Sequence, residues 1–290
     1  MAATVLLFAA PAAPAEPCAP AIGVICAGEA AMDEAAMLAR LRAADIVILG
    51  ERHDNPAHHE RQARIVAALA PGGLAFEMVP RAREAAANAA RASGDDLGAA
   101  LDWAESGWPA WEMYAPIFAA APGARIAGGG VERSALMAAV KDGAAAAFGD
   151  GAARYGLDEP LPEPMRAAML DEQERAHCGA LPAAMLPGMV AAQRLRDAAF
   201  ADAALRLIEA GAAPAALITG NGHARTDRGA PVYLRRAAPE LDVVSVGMIE
   251  IGAETEPHTP YDIAIFTAPF DRGDPCADFI RKRESDRAKP

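Results

Sequence analysis

The sequence predicts an α/β fold: a mostly parallel central sheet flanked by helices, with a largely helical insertion at about 94–210. Three observations carry this expectation. Short apolar runs stop abruptly at a glycine or a carboxylate, as buried strands of a parallel sheet do. Helix-length segments with clear turn signals separate the first runs, which gives β-α-β order and right-handed crossovers. The 290 residues are 53% hydrophobic, enough for one large core.

Taken in order, Asp45-Ile46-Val47-Ile48-Leu49 reads as a strand closed by Gly50. Asp54-Asn55-Pro56 starts a helix over 57–70, and Pro71-Gly72-Gly73 breaks it. Residues 74–78 are the next strand, and Pro80 opens another helix. Residues 94–122 are less regular and hold all three tryptophans, Trp103, Trp108 and Trp111. Such a segment is either a core plug beside the sheet or the apolar wall of a pocket for a flat ligand. Residues 125–127 form a third strand and 131–142 a helix, while 149–164, rich in Gly and Pro, read as a loop suited to cover a site. Helices follow at roughly 164–176 and 187–210. Strands at 215–219, 243–248 and 263–267 complete the sheet, with Pro257-His258-Thr259-Pro260 as the turn between the last two. Residues 1–20 read as a signal or disordered segment, 30–272 as a single domain and 280–290 as a disordered tail.

Charge narrows the partners. The balance of 27 basic and 39 acidic residues, −12, repels nucleic acid and anionic membrane surfaces. No stretch approaches ~18 continuous apolar residues, so no spanning helix is expected. Ala13-Pro14-Ala15 resembles a signal-peptidase site, although no Lys or Arg precedes the apolar run. Glu16-Pro17 ahead of Cys18 argues against lipidation there. The four cysteines form no C-x-x-C pair, so a zinc ribbon is not expected. In an exported protein Cys18–Cys26 would close a short local loop and Cys178–Cys276 is the remaining pairing; free buried thiols are the alternative. There is no G-x-S-x-G, P-loop or dinucleotide fingerprint.

The chemistry gathers at strand ends. Val47-Ile48-Leu49-Gly50-x-x-His53 and Leu217-Ile218-Thr219-Gly220-x-x-His223 share one form: strand, glycine, two residues, histidine. Ligands of parallel α/β sheets bind beyond the carboxyl ends of strands, where both histidines fall, as does Glu77. Glu77 ends an apolar strand and therefore needs a cationic or hydrogen-bonding partner. His53, His223 and Glu77 could ligate zinc or manganese, or act as acid–base groups. His58 and His59 flank the motif, and His58 reads as part of a solvated first helical turn. Gln193 and Asp197, four apart on the long helix, share a face, as do Gln193 and Arg196.

Together these residues resemble a known family. Ile48-Leu49-Gly50-Glu51-x-His53-Asp54-Asn55, then His58-His59 and Gln62, are similar to the opening motif of the ChaN-like haem-binding uptake proteins. These belong to the Tiki superfamily, related to TraB and erythromycin esterase-like proteins. Phe76-Glu77-Met78, Trp108-Pro109-x-Trp111-x-x-Tyr114, His177-Cys178-Gly179, Ala192-Gln193-x-x-Arg196-Asp197 and Gly220-Asn221-Gly222-His223-Ala224-Arg225 follow in order, over about residues 35–270. The resemblance implies bacterial export to the periplasm, with or without membrane association, and haem as ligand, at the interface of a homodimer. It also implies an outer-membrane haem uptake system as partner. For haem, His53, His223, Tyr114 and His258 are the axial candidates, with Arg225 or Arg133 for the propionates and Asn221, Gln193 and Asp197 as further ligand-binding residues. The alternative is a metal-dependent hydrolase, with Glu51 or Glu77 as general base and His53, His223 and Glu77 on the metal.

Overall fold

The computed structural model describes residues 16–252, 259–274, 276, 277 and 281. The expectations for the segment before residue 16, for His258 and for the extreme C-terminus lie outside the described residues. In chain order the elements are β1 (Ile25–Ala27), β2 (Ala30–Met32), α1 (Glu34–Arg42), β3 (Ile46–Glu51), α2 (Pro56–Leu69), β4 (Gly73–Pro80), α3 (Glu84–Ser93), α4 (Leu97–Ala100), α5 (Trp111–Ala120), β5 (Arg125–Gly130), α6 (Arg133–Asp142), α7 (Ala144–Phe148), α8 (Glu163–Ala176), α9 (Leu186–Glu209), β6 (Ala215–Gly220), α10 (Asn221–Ala224), α11 (Ala230–Ala237), β7 (Val243–Glu250) and β8 (Ile263–Thr267).

The apolar runs become strands because both faces of the sheet are covered. Strand order is β2-β1-β8-β7-β3-β6-β4-β5. Every pairing from β8 to β5 is parallel, and only β1 joins antiparallel, to β2 and to β8. Side chains alternate across the sheet with period two. Val47, Leu49, Phe76 and Ile218 pack with Met37, Ile65, Trp103, Tyr114 and Phe118 from the helices on one face. Ile46, Ile48, Ala75 and Leu217 pack with Ala139, Leu195, Phe200 and Leu234 on the other. Asn55 starts α2 as a true cap, its side chain accepting from the Ala57 N–H at 3.0 Å with Pro56 in the first turn.

Several expectations change. The tryptophan segment is partly regular, since α5 packs Tyr114, Ile117 and Phe118 into the first core. Residues 149–164 do not cover a site: Tyr155 and Leu157 are buried against the second core. β7 and β8 run parallel, and the turn expected at 257–260 between them lies partly outside the described residues. Both disulfides form, Cys18–Cys26 and Cys178–Cys276, the second across a separation of 98 residues.

Candidate functional site

Three neighbouring strands deliver the site. β3 pairs with β6 so that Glu51 stands opposite Gly220, and β4 pairs with β6 up to Phe76 opposite Ile218. The two Gly-x-x-His turns and Glu77 therefore emerge together at the carboxyl edge. Their glycines allow the turns to interlock. A Cβ on Gly50 would lie 2.6 Å from Asn221 Oδ1, and one on Gly220 would lie 2.9 Å from His53 Nε2.

Two histidine–carboxylate arms meet at Glu77. In the first, His53 Nδ1 lies 2.8 Å from Glu51 Oε1, and the Tyr114 hydroxyl donates to the same oxygen at 2.7 Å. His59 closes the back of this arm, with Nδ1 3.1 Å from Glu51 Oε2 and Nε2 2.9 Å from the His53 carbonyl. In the second, His223 Nδ1 lies 2.7 Å from Asp197 Oδ1 and 3.2 Å from Gln193 Nε2. The opposite nitrogens face Glu77: His53 Nε2 at 3.8 Å and His223 Nε2 at 3.6 Å. Glu77 Oε2 accepts from the Thr219 hydroxyl at 2.7 Å and the Gly220 N–H at 2.8 Å. Strand alternation explains the division. Glu51 falls on the Val47–Leu49 face, toward α2 and α5, whereas Glu77 falls on the Ala75 face, toward α9.

A cleft of about 500 Å³ opens above Glu77, His53 and His223. Met78, Val131, Leu136, Trp108 and Phe200 supply apolar wall, and Glu132, Arg133 and Arg196 supply charge. Trp108 lies 4.9 Å from the His53 ring and Phe200 4.8 Å from the His223 ring.

Burial and charge oppose each other here. Burial disfavours the Glu51 carboxylate, but its bonds to His53 and His59 outweigh this and hold it down at about 2. Burial also disfavours Glu77 ionisation, which the charges of His223 and His53 reverse, so its pKa falls. Both imidazoles are raised. Desolvation works against their charge, but Glu51 and Glu77 outweigh it at His53, and Glu77 and Asp197 do so at His223. At Asp197 burial wins against His223 and pushes the carboxyl up to about 6.

The structure thus brings His53, His223, Glu77, Gln193 and Asp197 together and places Arg133 at the cleft. It separates others. Tyr114 is fully buried behind Glu51, so it cannot be an axial ligand. The Arg225 guanidinium is paired with Asp227 at 2.7 and 2.9 Å, away from the cleft wall, so it cannot serve propionates there. The Asn221 amide is spent on Met248, donating to its carbonyl at 2.6 Å and accepting its N–H at 3.1 Å; it braces the turn. Glu51 has no exposed side chain and a pKa near 2, so it is unfit as a general base. His58 is buried, not solvated: it accepts the Arg52 N–H at 2.9 Å, and burial pushes its pKa down to about 4. Among the described residues no group of three or more His, Cys, Asp or Glu is arranged to hold a metal ion. The zinc or manganese alternative loses its support accordingly, because Glu77 is engaged by Thr219 and Gly220 and the other carboxylates sit behind the rings. Sequence reasoning missed Phe200 and Leu136 as walls. Arg196 stood beside Asp197 in the same motif, but its role depends on the strand beneath α9.

Comparison with known proteins adds the following. The family described as haem-binding uptake, Tiki superfamily, ChaN, matches residues 37–234. No curated protein matches the chain. A solved structure described as cofacial heme binding to ChaN of Campylobacter jejuni is similar, with a TM-score of 0.65 at 19% identity over 83% of this chain and 95% of that one. The type III effector HopBA1 matches at a TM-score of 0.45 and 15% identity, over 81% of this chain and 92% of that one.

Proposed function

Because this chain belongs to the haem-binding uptake family of the Tiki superfamily, the ChaN proteins, we propose that it is an exported haem-binding protein that serves haem or iron uptake. The observation that carries the reading is the His53 imidazole. Glu51 holds its Nδ1, its Nε2 faces an apolar-walled cleft, and its side chain is 32% exposed against 10% for His223. A ring oriented through one nitrogen presents the other as a ligand of fixed direction and raised basicity. His53 is therefore the axial candidate on this chain. All four tyrosines are buried, which leaves histidine as the better fit. The cleft's volume falls within the range of small-molecule sites, roughly 300–1,000 Å³.

Export is supported by the two disulfides, which persist in oxidising compartments and are rare in the cytosol. Among the described residues no helix is long and apolar enough to cross a membrane. In this reading the partners are haem, a second copy of the chain and an outer-membrane uptake system. Titration of the purified protein with haemin tests the ligand. A Soret shift at micromolar haemin that His53→Ala abolishes is the expected result; no shift in the parent protein overturns the reading. Gel filtration with and without haemin tests the second copy, and cell fractionation tests the compartment.

A further inference from the structure

The chain carries twelve more acidic than basic residues by its net charge of −12, and many of its arginines are committed to carboxylates. Arg206 pairs with Glu84 and Asp202, Arg228 with Glu172 and Asp227, and Arg272 with Asp54 and Glu250. Arg133, which is exposed, and Arg196, which is half-buried, are set apart by their place. Both line the histidine cleft, and among the described residues neither makes an ion pair, although Glu77 and Glu132 line the same cleft. Arg133 stands in the first turn of α6 and Arg196 in the middle of α9, two helices that pack against each other. Arg196 shares its helix face with Gln193, Asp197 and Phe200, so the guanidinium is carried on the element that orients His223. An acidic protein with surplus carboxylates that keeps two guanidiniums unpaired beside apolar wall has a cationic rim available for a guest. Guanidinium is suited to this because its planar fork engages a carboxylate through two parallel hydrogen bonds.

We propose that Arg133 and Arg196 form a carboxylate clamp at the mouth of the cleft, so that the ligand is a flat apolar molecule carrying carboxylate groups, its body against Trp108, Phe200, Leu136 and Val131 and its charged edge on the two arginines. The proposal rests on the reading of this cleft as the ligand site. It assigns affinity to the ligand's carboxylates, separately from any bond to iron, and so it applies equally to a porphyrin without metal.

The test uses the full chain and three probes: haemin, metal-free protoporphyrin IX and protoporphyrin IX dimethyl ester, whose carboxylates are masked. Binding is followed by quenching of tryptophan fluorescence, since Trp108 lines the cleft. The expected result is that the parent protein binds the free diacid at least about tenfold more tightly than the diester. Arg133→Gln with Arg196→Gln should remove that preference by weakening the diacid and leaving the diester unchanged. Lysine at both positions should restore part of the preference. Circular dichroism and thermal melting of the glutamine variant exclude a folding defect, and each single variant serves if the pair does not fold. Equal binding of diacid and diester by the parent protein overturns the clamp, as does a glutamine variant that keeps the preference. Arginine-dependent binding of the metal-free diacid without a haemin Soret shift overturns iron ligation by histidine but leaves the clamp standing. No binding of any porphyrin overturns both.

Discussion

Glu51 touches Tyr114, His53 and His59 yet has no exposed side chain, and that combination sets what its loss would cost. Glu51→Gln leaves a buried tyrosine hydroxyl and two imidazoles facing a neutral amide, an expected loss of about 3–5 kcal/mol on urea unfolding. The pH dependence follows from the directions of the shifts. Glu51 falls from 4.5 to about 2 on folding, so its contribution is present above pH 4.5 and is lost as pH falls through about 2. His53 and His223 are raised above 6.5, so theirs is present below 6.5 and is lost as pH rises through the raised values. The urea midpoint should therefore peak between about pH 4.5 and 6.5. Haemin affinity should run the other way on the alkaline side, because only unprotonated His53 can ligate iron and binding must displace its proton. Haemin titrations from pH 6 to 8 that show flat or falling affinity would contradict this assignment. Gly220→Ala sets a methyl 2.9 Å from His53 Nε2 and should fold while weakening haemin binding, read by the Soret titration.

At the level of single elements, α9 does two jobs with one face. Gln193, Arg196, Asp197 and Phe200 repeat at the helical spacing of i, i+3, i+4 and i+7, and they serve His223 and the cleft together. Phe200 is 1% exposed and stacks over Gly129, where a Cβ would meet its ring at 2.8 Å. Phe200→Ala should cost about 3–5 kcal/mol in urea unfolding and expose His223 to solvent. The pairing of Gln193 with Asp197 was legible in the sequence because it is a property of one helix. The cleft roles of Arg196 and Phe200 were not, because they depend on which strand lies beneath that helix. β1 and β2 escaped for another reason: three-residue strands are too short to show alternation. His58 reads in the sequence as part of a solvated helix start, but Thr267 from β8 reaches over the turn, its hydroxyl 2.8 Å from His58 Nε2.

Across the whole molecule, the strand-ended motifs were legible as a site, since any parallel sheet gathers its functional groups at one edge. Strand order was not, for nothing local says that β6 inserts between β3 and β4. The disulfide pairing was in reach, Cys18–Cys26 by its short spacing and Cys178–Cys276 as the remainder, with free thiols the alternative that the structure removes. Cys178–Cys276 ties the end of α8 to the C-terminal segment over 98 residues, and Cys178→Ser should lower stability by about 2–4 kcal/mol, measured by denaturant unfolding against the parent protein. The adjacency of β3 and β6 has a last consequence. The two Gly-x-x-His turns rise from neighbouring strands of one ladder, matched residue for residue from Ile46 opposite Ala215 to Glu51 opposite Gly220, on a spacing of about 4.8 Å that the backbone itself dictates, and His53 and His223 stand just beyond its end. To move the roots of the two turns apart, a guest would have to break that ladder. The floor of the cleft is therefore set in width by the sheet, and a guest's fit is decided at the walls that α6, α9 and Trp108 supply.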